Sequence, residues 1–449
     1  MTHPIRNLLC RLQGEGDPYH TSRILFIIKC AFAYFISTLV GGAYLARLTS
    51  GLGFSDSLTG LLSAFISLSG SFQLISLFLF QKKGSIKWKI ILNIQISQIL
   101  FTFVYLIPLF GLEPGQKRLI FLIGFAAAYI LQSIVTPGQT DWMMSLVDEH
   151  QRGRFTAINE MFSLLSGMVF TYLMGALIDK FEAAGDTRGA FMVGAVAMAV
   201  LTLAHALVII FIRERKPEKT DSGAQDASAS LKQARFSTGQ FAFLRNKEMW
   251  KVIAAVAIWY VVTYASTPFY GAYQIHELGF SMTFVSVLSI LYGIIRSLFS
   301  PFVGRYADRH SFKRSFYLCL VIAAVGFLVN CFTVPENGGV FFTVYYCISA
   351  LAHAGLSSAT TNLIFETVPP EDCRNALAVN AAISGLLGFL TTCVMSPVVD
   401  MIQRNDNLIF GVRLYAGQFV SIVALVLNIV LFLYVHVVFI RKKTPADAE

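Results

Sequence analysis

Charge is what this sequence has least of. Of its 449 residues only 14% are Asp, Glu, Lys or Arg, while 55% are hydrophobic and the mean hydropathy is +0.63. A soluble chain of this length carries about a quarter charged residues, so a water-soluble globular protein is excluded. Cysteine is equally uninformative as a framework. Cys10, Cys30, Cys319, Cys331, Cys347, Cys373 and Cys393 are odd in number, scattered, and lack C-x-x-C spacing. They read as small apolar residues, with neither a disulfide scaffold nor a thiolate metal site. Enzyme signatures are missing too. There is no G-x-x-x-x-G-K-[ST], no H-E-x-x-H and no G-x-S-x-G, which argues against ATP-driven pumping, zinc hydrolysis and a serine nucleophile. No cofactor and no metal are expected. The polar start runs to about Arg23 and passes into an apolar run without a small-residue cleavage site, so an uncleaved first span is expected.

What the chain does have is apolar length. A bilayer core needs about 20 apolar residues per helix. Twelve stretches qualify, near Ile24–Leu48, Ser57–Phe80, Trp88–Phe110, Leu119–Val147, Phe155–Ile178, Ala190–Ile212, Trp250–Tyr273, Thr283–Val303, Ser315–Phe332, Val340–Phe365, Ala376–Val399 and Leu408–Ile440. Barrel strands would be half as long and alternating, which is not the pattern here. The fold class is therefore an all-α polytopic membrane protein.

The net charge of +9 would suggest nucleic acid in a soluble chain. Here the bases sit between apolar runs, and they are uneven. Arg6, Arg11, Arg23, Lys82, Lys83, Lys87, Lys89, Arg152, Arg154, Arg305, Arg309, Lys313, Arg314, Arg374 and Arg441–Lys443 fall on one side with the central loop. The other side keeps only Arg47, Lys117, Arg118, Lys180, Arg188, Arg404 and Arg413. The positive-inside bias places both termini in the cytoplasm of a plasma (inner) membrane protein. The partner is then the lipid bilayer and no nucleic acid.

The largest polar interruption is Arg213–Lys251. Its first part, R-E-R-K-P-E-K-T-D-S-G-A-Q-D-A-S-A-S, reads as a disordered linker, and Phe236–Trp250 as a short interfacial helix. It divides the chain into an N-terminal six-helix half (1–212), a cytoplasmic central loop (213–249) and a C-terminal six-helix half (250–449). The halves repeat. Gly42-Ala43-Tyr44 and Leu52-Gly53-Phe54-Ser55 recur as Gly271-Ala272-Tyr273 and Leu278-Gly279-Phe280-Ser281. At one common offset Val147, Ala157, Asn159, Ser163, Gly167, Met174 and Asp179 fall on Val368, Ala378, Asn380, Ser384, Gly388, Met395 and Asp400. Such agreement marks a duplicated unit, giving two pseudo-symmetric halves.

One short basic stretch, Gly304–Arg314 (G-R-Y-A-D-R-H-S-F-K-R), lies between the eighth and ninth apolar runs. Its pattern, G-x-x-x-D-R-x-x-x-(K/R)-(K/R), resembles the cytoplasmic loop signature of the major facilitator superfamily. The first-half copy, F-L-F-Q-K-K-G-S-I-K-W-K, is degenerate, with Lys82 and Lys83 standing where Asp308 and Arg309 stand in the second. A further stretch, P-x-x-x-x-W-x-x-x-L-V-x-x-x-x-R-G-R from Pro137 through Trp142 to Arg154, resembles the end of the fourth helix in many bacterial members. The resemblance implies a twelve-helix secondary transporter whose halves rock around a midplane site. It also implies that Asp308 and Arg309 form an inner latch with Arg152 and Arg154 at the start of the fifth helix. A charge-swapped counterpart would set Lys82 against Glu371 or Asp372.

Within the spans, Glu160 and Arg296 are the deepest formal charges recognisable from sequence, each about eight residues or roughly 12 Å from the cytoplasmic end of its helix. A lone charge there costs about 2.5–3.5 kcal/mol, so they are expected to pair. Glu160 is either a proton-coupling acid or a structural partner. Gln132 and His353 hold equivalent mid-membrane positions in the fourth and tenth helices, with Ser133, Thr136, Gln139, Thr140 and Asp141 around one and Ser349, Ser357, Ser358, Thr361 and Asn362 around the other. Tyr34 with Ser37 and Thr38, and Tyr260 with Thr263, Tyr264, Thr267 and Tyr270, complete a polar, aromatic cavity. His353 either carries a proton or makes an interhelical hydrogen bond.

The expected function is proton-coupled uptake of a neutral polar solute such as a sugar or glycoside, by a monomer. Proton-driven export of drugs or metabolites is the alternative. A membrane-embedded enzyme with His353 as its base, or a nutrient sensor, would leave the duplication unexplained.

Overall fold

The computed structural model describes residues 19–75, 86–148, 152–214, 245–369, 372–409 and 411–441. Among these, eleven helices are long and apolar enough to cross a bilayer. The protein is a multi-pass, all-α membrane protein, with one small hairpin of β1 (Leu408–Ile409) against β2 (Val412–Arg413). Large apolar side chains such as Leu92, Leu203, Val394 and Leu433 stand exposed on the helices, as expected where the solvent is hydrocarbon. The expected second stretch, Ser57–Phe80, is described only as far as residue 75, so it is not among the eleven. The first-half signature residues Lys82 and Lys83, and Glu371, lie outside the described residues, as does most of the central loop.

The chain packs as two compact units, Met1–Val40 with Phe72–Ala234, and Gly41–Ser71 with Arg235–Glu449. In the first, α1 (His20–Leu39) packs on α6 (Arg152–Ala183) and α7 (Thr187–Phe211), and α4 (Ile86–Leu106) packs on α5 (Pro114–Ser145) and α7. Its core holds Phe26, Ile90, Val135 and Ile209, with Phe26 edge-on to Trp142 at 6.1 Å.

The second unit begins with α2 (Gly42–Ser50) and α3 (Asp56–Ser69). It continues through α8 (Lys247–Tyr264), α9 (Thr267–Ala272), α10 (Met282–His310), α11 (Phe312–Asn330), α12 (Gly338–Phe365), α13 (Cys373–Arg404) and α14 (Ala416–Val435). Here α10 and α11 both pack on α12, α8 packs on α13, and α3 packs on α9 and α13.

Two of the expected spans are broken. Ile24–Leu48 is interrupted between α1 and α2, and Trp250–Tyr273 between α8 and α9. A break inside a membrane frees backbone carbonyls that need partners. In the first unit the Tyr105 hydroxyl donates to the Leu39 carbonyl at 2.5 Å and the Tyr129 hydroxyl to that of Val40 at 3.2 Å. In the second, the Thr392 hydroxyl donates to the Tyr264 carbonyl at 2.7 Å. Tyr105→Phe is therefore expected to lose about 1–3 kcal/mol of stability, the cost of an unpaired buried acceptor, read as a lower thermal midpoint.

The repeated Leu-Gly-Phe-Ser motif has one structural job in both places. Gly53 and Gly279 take the left-handed conformation, with φ of +69° and +65°, which closes the turn at little steric cost. The serine that follows caps the next helix. Ser55 Oγ accepts from the Leu58 N–H and Ser281 Oγ from the Phe284 N–H.

The basic stretch Gly304–Arg314 is mostly helix rather than loop. Residues through His310 continue α10, and only Ser311, at φ +119°, separates it from α11, whose first turn it caps through Arg314 N–H. The continuation has a local cause, since the His310 ring stacks on Tyr306 one turn earlier at 4.5 Å.

Candidate functional site

In the first unit, Gln132 and Thr136 lie one turn apart on α5, where the Thr136 hydroxyl donates back to the Gln132 carbonyl at 2.9 Å. Gln132 is half-buried and Thr136 exposed. Tyr34 on α1 lies against α6 at Gly167, where an added Cβ would come within 2.3 Å of its ring. Next to it Phe35 stacks on Phe170 at 4.6 Å. Tyr34 thus packs between α1 and α6, and Gln132 and Thr136 follow one another along α5.

The second unit brings its expected residues closer together. His353 on α12 has Trp259 of α8 at 5.7 Å and Tyr292 of α10 at 6.1 Å between ring centroids. Its Nδ1 lies 2.9 Å from the Ser349 carbonyl. With Nδ1–H donated there, Nε2 is left as the acceptor. One turn along α12, Ser357 accepts a hydrogen bond from Arg296 of α10 at 3.0 Å. Tyr292 and Arg296 stand one turn apart on the same face of α10. On α8, Tyr260 and Tyr264 stack with centroids 5.9 Å apart and planes 14° off parallel. Tyr264 also lies against Gly388 of α13, where an added Cβ would fall 2.8 Å from the ring.

Charge burial departs from expectation. Glu160 and Arg296 are both exposed, and Arg296 is hydrogen-bonded to Ser357 within its own unit. The most buried lysine or arginine among the described residues is Lys29 of α1, only 3% exposed, which donates to Gln139 Oε1 and lies 5.1 Å from the Phe26 ring centroid. The sequence shows it only as one lysine in an apolar run near the basic N-terminus. Tyr292 was missed as well, although its i, i+4 spacing from Arg296 is the available signal. Asp308 and Arg309 sit exposed on the last turn of α10. The side chains of Arg152, Arg154 and Asp141 lie outside the described residues.

Against known families, the major facilitator superfamily model matches residues 24–392 and 260–447. The chain belongs to the major facilitator superfamily. The resemblance read from Gly304–Arg314 is borne out, and the chain is a secondary transporter that moves a small molecule across a membrane by alternating access, not an enzyme.

Solved structures with the superfamily fold align over nearly the whole chain. The nucleoside transporter NupG matches with a TM-score of 0.67 at 16% identity, covering 94% of this chain and 100% of its own. A bacterial homologue of the human lysosomal transporter Spinster, inward-facing and unoccupied, gives 0.69 at 14% identity over 94% and 97%. A D-xylose–proton symporter gives 0.67 at 14% over 93% and 97%. At these identities the likeness is one of fold. No curated protein matches the sequence significantly.

Proposed function

We propose that this superfamily member imports a neutral polar solute, such as a sugar or glycoside, together with a proton. The observation that carries the reading is the α10–α12 face. His353, Tyr292 and Ser357, with Arg296 bonded to Ser357, offer hydrogen-bonding groups on this face, and the neighbouring α8 carries Trp259 against His353 and the stacked rings of Tyr260 and Tyr264. Hydroxyl-rich solutes are bound by such planes and donors, whereas a lipophilic cation favours an acid among aromatics. The D-xylose–proton symporter and NupG, similar in fold, have polar sugar-containing substrates by their names, which agrees with the reading.

Twelve spans in two six-helix halves, 1–212 and 250–449 around the loop 213–249, follow from the repeats. Their support is the duplicated cap at Ser55 and Ser281, and the tyrosine against a glycine at Tyr34–Gly167 and Tyr264–Gly388. The protein is a monomer in the plasma membrane with both termini cytoplasmic, and Asp308 and Arg309 serve an inner latch with Arg152 and Arg154. His353 and Glu160 are the candidate proton carriers on the cavity.

The test is thermal stability of purified protein against sugars, nucleosides, organic acids and lipophilic cations. A ligand at 100 times its dissociation constant adds about 2.7 kcal/mol to the native state, a readable shift. Stabilisation by a neutral polar solute, weakened in His353→Ala, supports uptake. Stabilisation by lipophilic cations alone makes export the function.

A further inference from the structure

At the end of the second unit where α3 begins, four side chains from three segments converge. Asp56 opens α3, His276 and Glu277 end the turn Tyr273–Glu277 that follows α9, and Gln403 lies in the last turn of α13. His276 Nδ1 is 2.5 Å from Asp56 Oδ1. The Gln403 amide nitrogen donates to Asp56 Oδ2 at 2.7 Å and to Glu277 Oε1 at 2.8 Å. Asp56 is therefore fully served, with a donor on each oxygen, and it is 9% exposed. Glu277 is not. The Gly417 backbone N–H lies near its carboxylate, yet the buried Oε2 has no hydrogen-bond partner among the described residues.

That asymmetry decides where a proton goes. One amide bridges two carboxylates, and one imidazole serves only the first. With both acids ionised, two negative charges would share the Gln403 amide, and the buried Oε2 would carry charge without a hydrogen bond of its own among the described residues. A proton on Glu277 Oε2 removes both costs and leaves Oε1 accepting from Gln403. The other charged groups close by do not supply the missing donor. On α13, Asp400 is paired with Arg404 at 2.8 Å, and in the hairpin Arg413 lies over the Tyr415 ring at 5.9 Å.

The cluster also sits on a seam. Gly41–Ser71 is docked on α9 and α13 through small residues. Gly271 lies so near Gly42 that a Cβ would be 2.7 Å from its backbone, Gly60 faces Phe269, and the hydroxyls of Ser57 and Ser396 are 2.5 Å apart. The cluster puts charge across this contact of small residues.

We propose that Asp56, His276, Glu277 and Gln403 form a proton-binding site on the outer side, and that a proton held on Glu277 is required for Gly41–Ser71 to dock on α9 and α13. The outer placement and the link to uptake rest on the proposed function. A proton taken from outside would then let the outer end close, which ties proton binding to one step of the cycle without any contact with the solute.

The test needs no substrate, so failure of the uptake reading does not decide it. Spin labels at Ser50 and Asn405, in a background without native cysteines, report the separation of α2 from the end of α13 in nanodiscs. The pH is varied from about 5 to about 9, where His–carboxylate clusters exchange protons. The site predicts a short distance in acid that gives way to a longer one in alkali. Glu277→Gln, a permanent mimic of the protonated acid, should stay short throughout. In unlabelled protein the infrared carboxylic-acid band assigned to Glu277 should vanish over the same range and be missing from Glu277→Gln. A distance that ignores pH, or a Glu277→Gln protein that titrates like its parent, overturns the proposal. If Glu277→Gln fails to fold, the spin-label distance in the otherwise native sequence decides alone, and a distance that ignores pH is fatal.

Discussion

Gly271→Ala is expected to abolish transport and to lower stability by about 1–3 kcal/mol, the range for overpacking a tight contact. The atoms an added methyl would meet are the carbonyl carbon and oxygen of Gly42 at 2.7 Å and the Ala43 nitrogen at 3.1 Å. These are backbone atoms, with no side chain to rotate away. α9 and α2 would have to separate, and with them the docking of Gly41–Ser71 on the second unit. Gly42→Ala makes the contrast, because a Cβ there meets nothing within 4 Å. Its cost is confined to a backbone at φ +52°, about 1 kcal/mol. Melting curves and uptake measured for both variants check the pair. Equal damage from the two would mean that the close approach is not what matters.

The second large effect is expected on binding. Gly388→Ala places a Cβ 2.8 Å from Tyr264 Cδ2 and 3.0 Å from Cγ. Because contact is made at the root of the ring, the whole tyrosine must move, and its stack on Tyr260 is lost with it. If these rings form the platform for the solute, affinity should fall at least about tenfold, which is about 1.4 kcal/mol. Gly167→Ala does the same to Tyr34 in the first unit, where the ring edge is met at 2.3 Å. Titration calorimetry with the stabilising solute measures both. An unchanged affinity in Gly388→Ala would remove Tyr264 from the site.

Much of the architecture could be read from the chain because membrane insertion imposes a coarse rule, length of apolar run, that single residues do not disturb. The family was legible in Gly304–Arg314 and Pro137–Arg154, and the repeats at Gly53 and Gly279 were legible because a left-handed turn and a serine cap leave a fixed signature. The helix breaks were not. Val40–Gly41 and Ala265–Ser266 are as apolar or small as their surroundings, and what permits them is a set of hydroxyls, Tyr105, Tyr129 and Thr392, far away in sequence.

The charges were harder still. Depth along a helix suggested Glu160 and Arg296, but burial depends on which face a neighbour covers, and that selected Lys29. Asp56, His276, Glu277 and Gln403 each stand at the end of a span, where a polar residue is unremarked. Only the fold brings them within hydrogen-bonding distance. His353 and Ser357 drew attention because they stand one turn apart on a helix face that also carries Ser349 and Thr361. Tyr292, their neighbour from α10, was hidden among the other aromatics.

The most direct measurement is accumulation of the stabilising solute in proteoliposomes under an imposed pH gradient. With the outside made acid, the account predicts uptake above the external concentration, accompanied by protons and abolished when the gradient is collapsed. Equilibration that ignores the gradient, or movement of lipophilic cations outward in its place, would contradict proton-coupled import of a neutral polar solute.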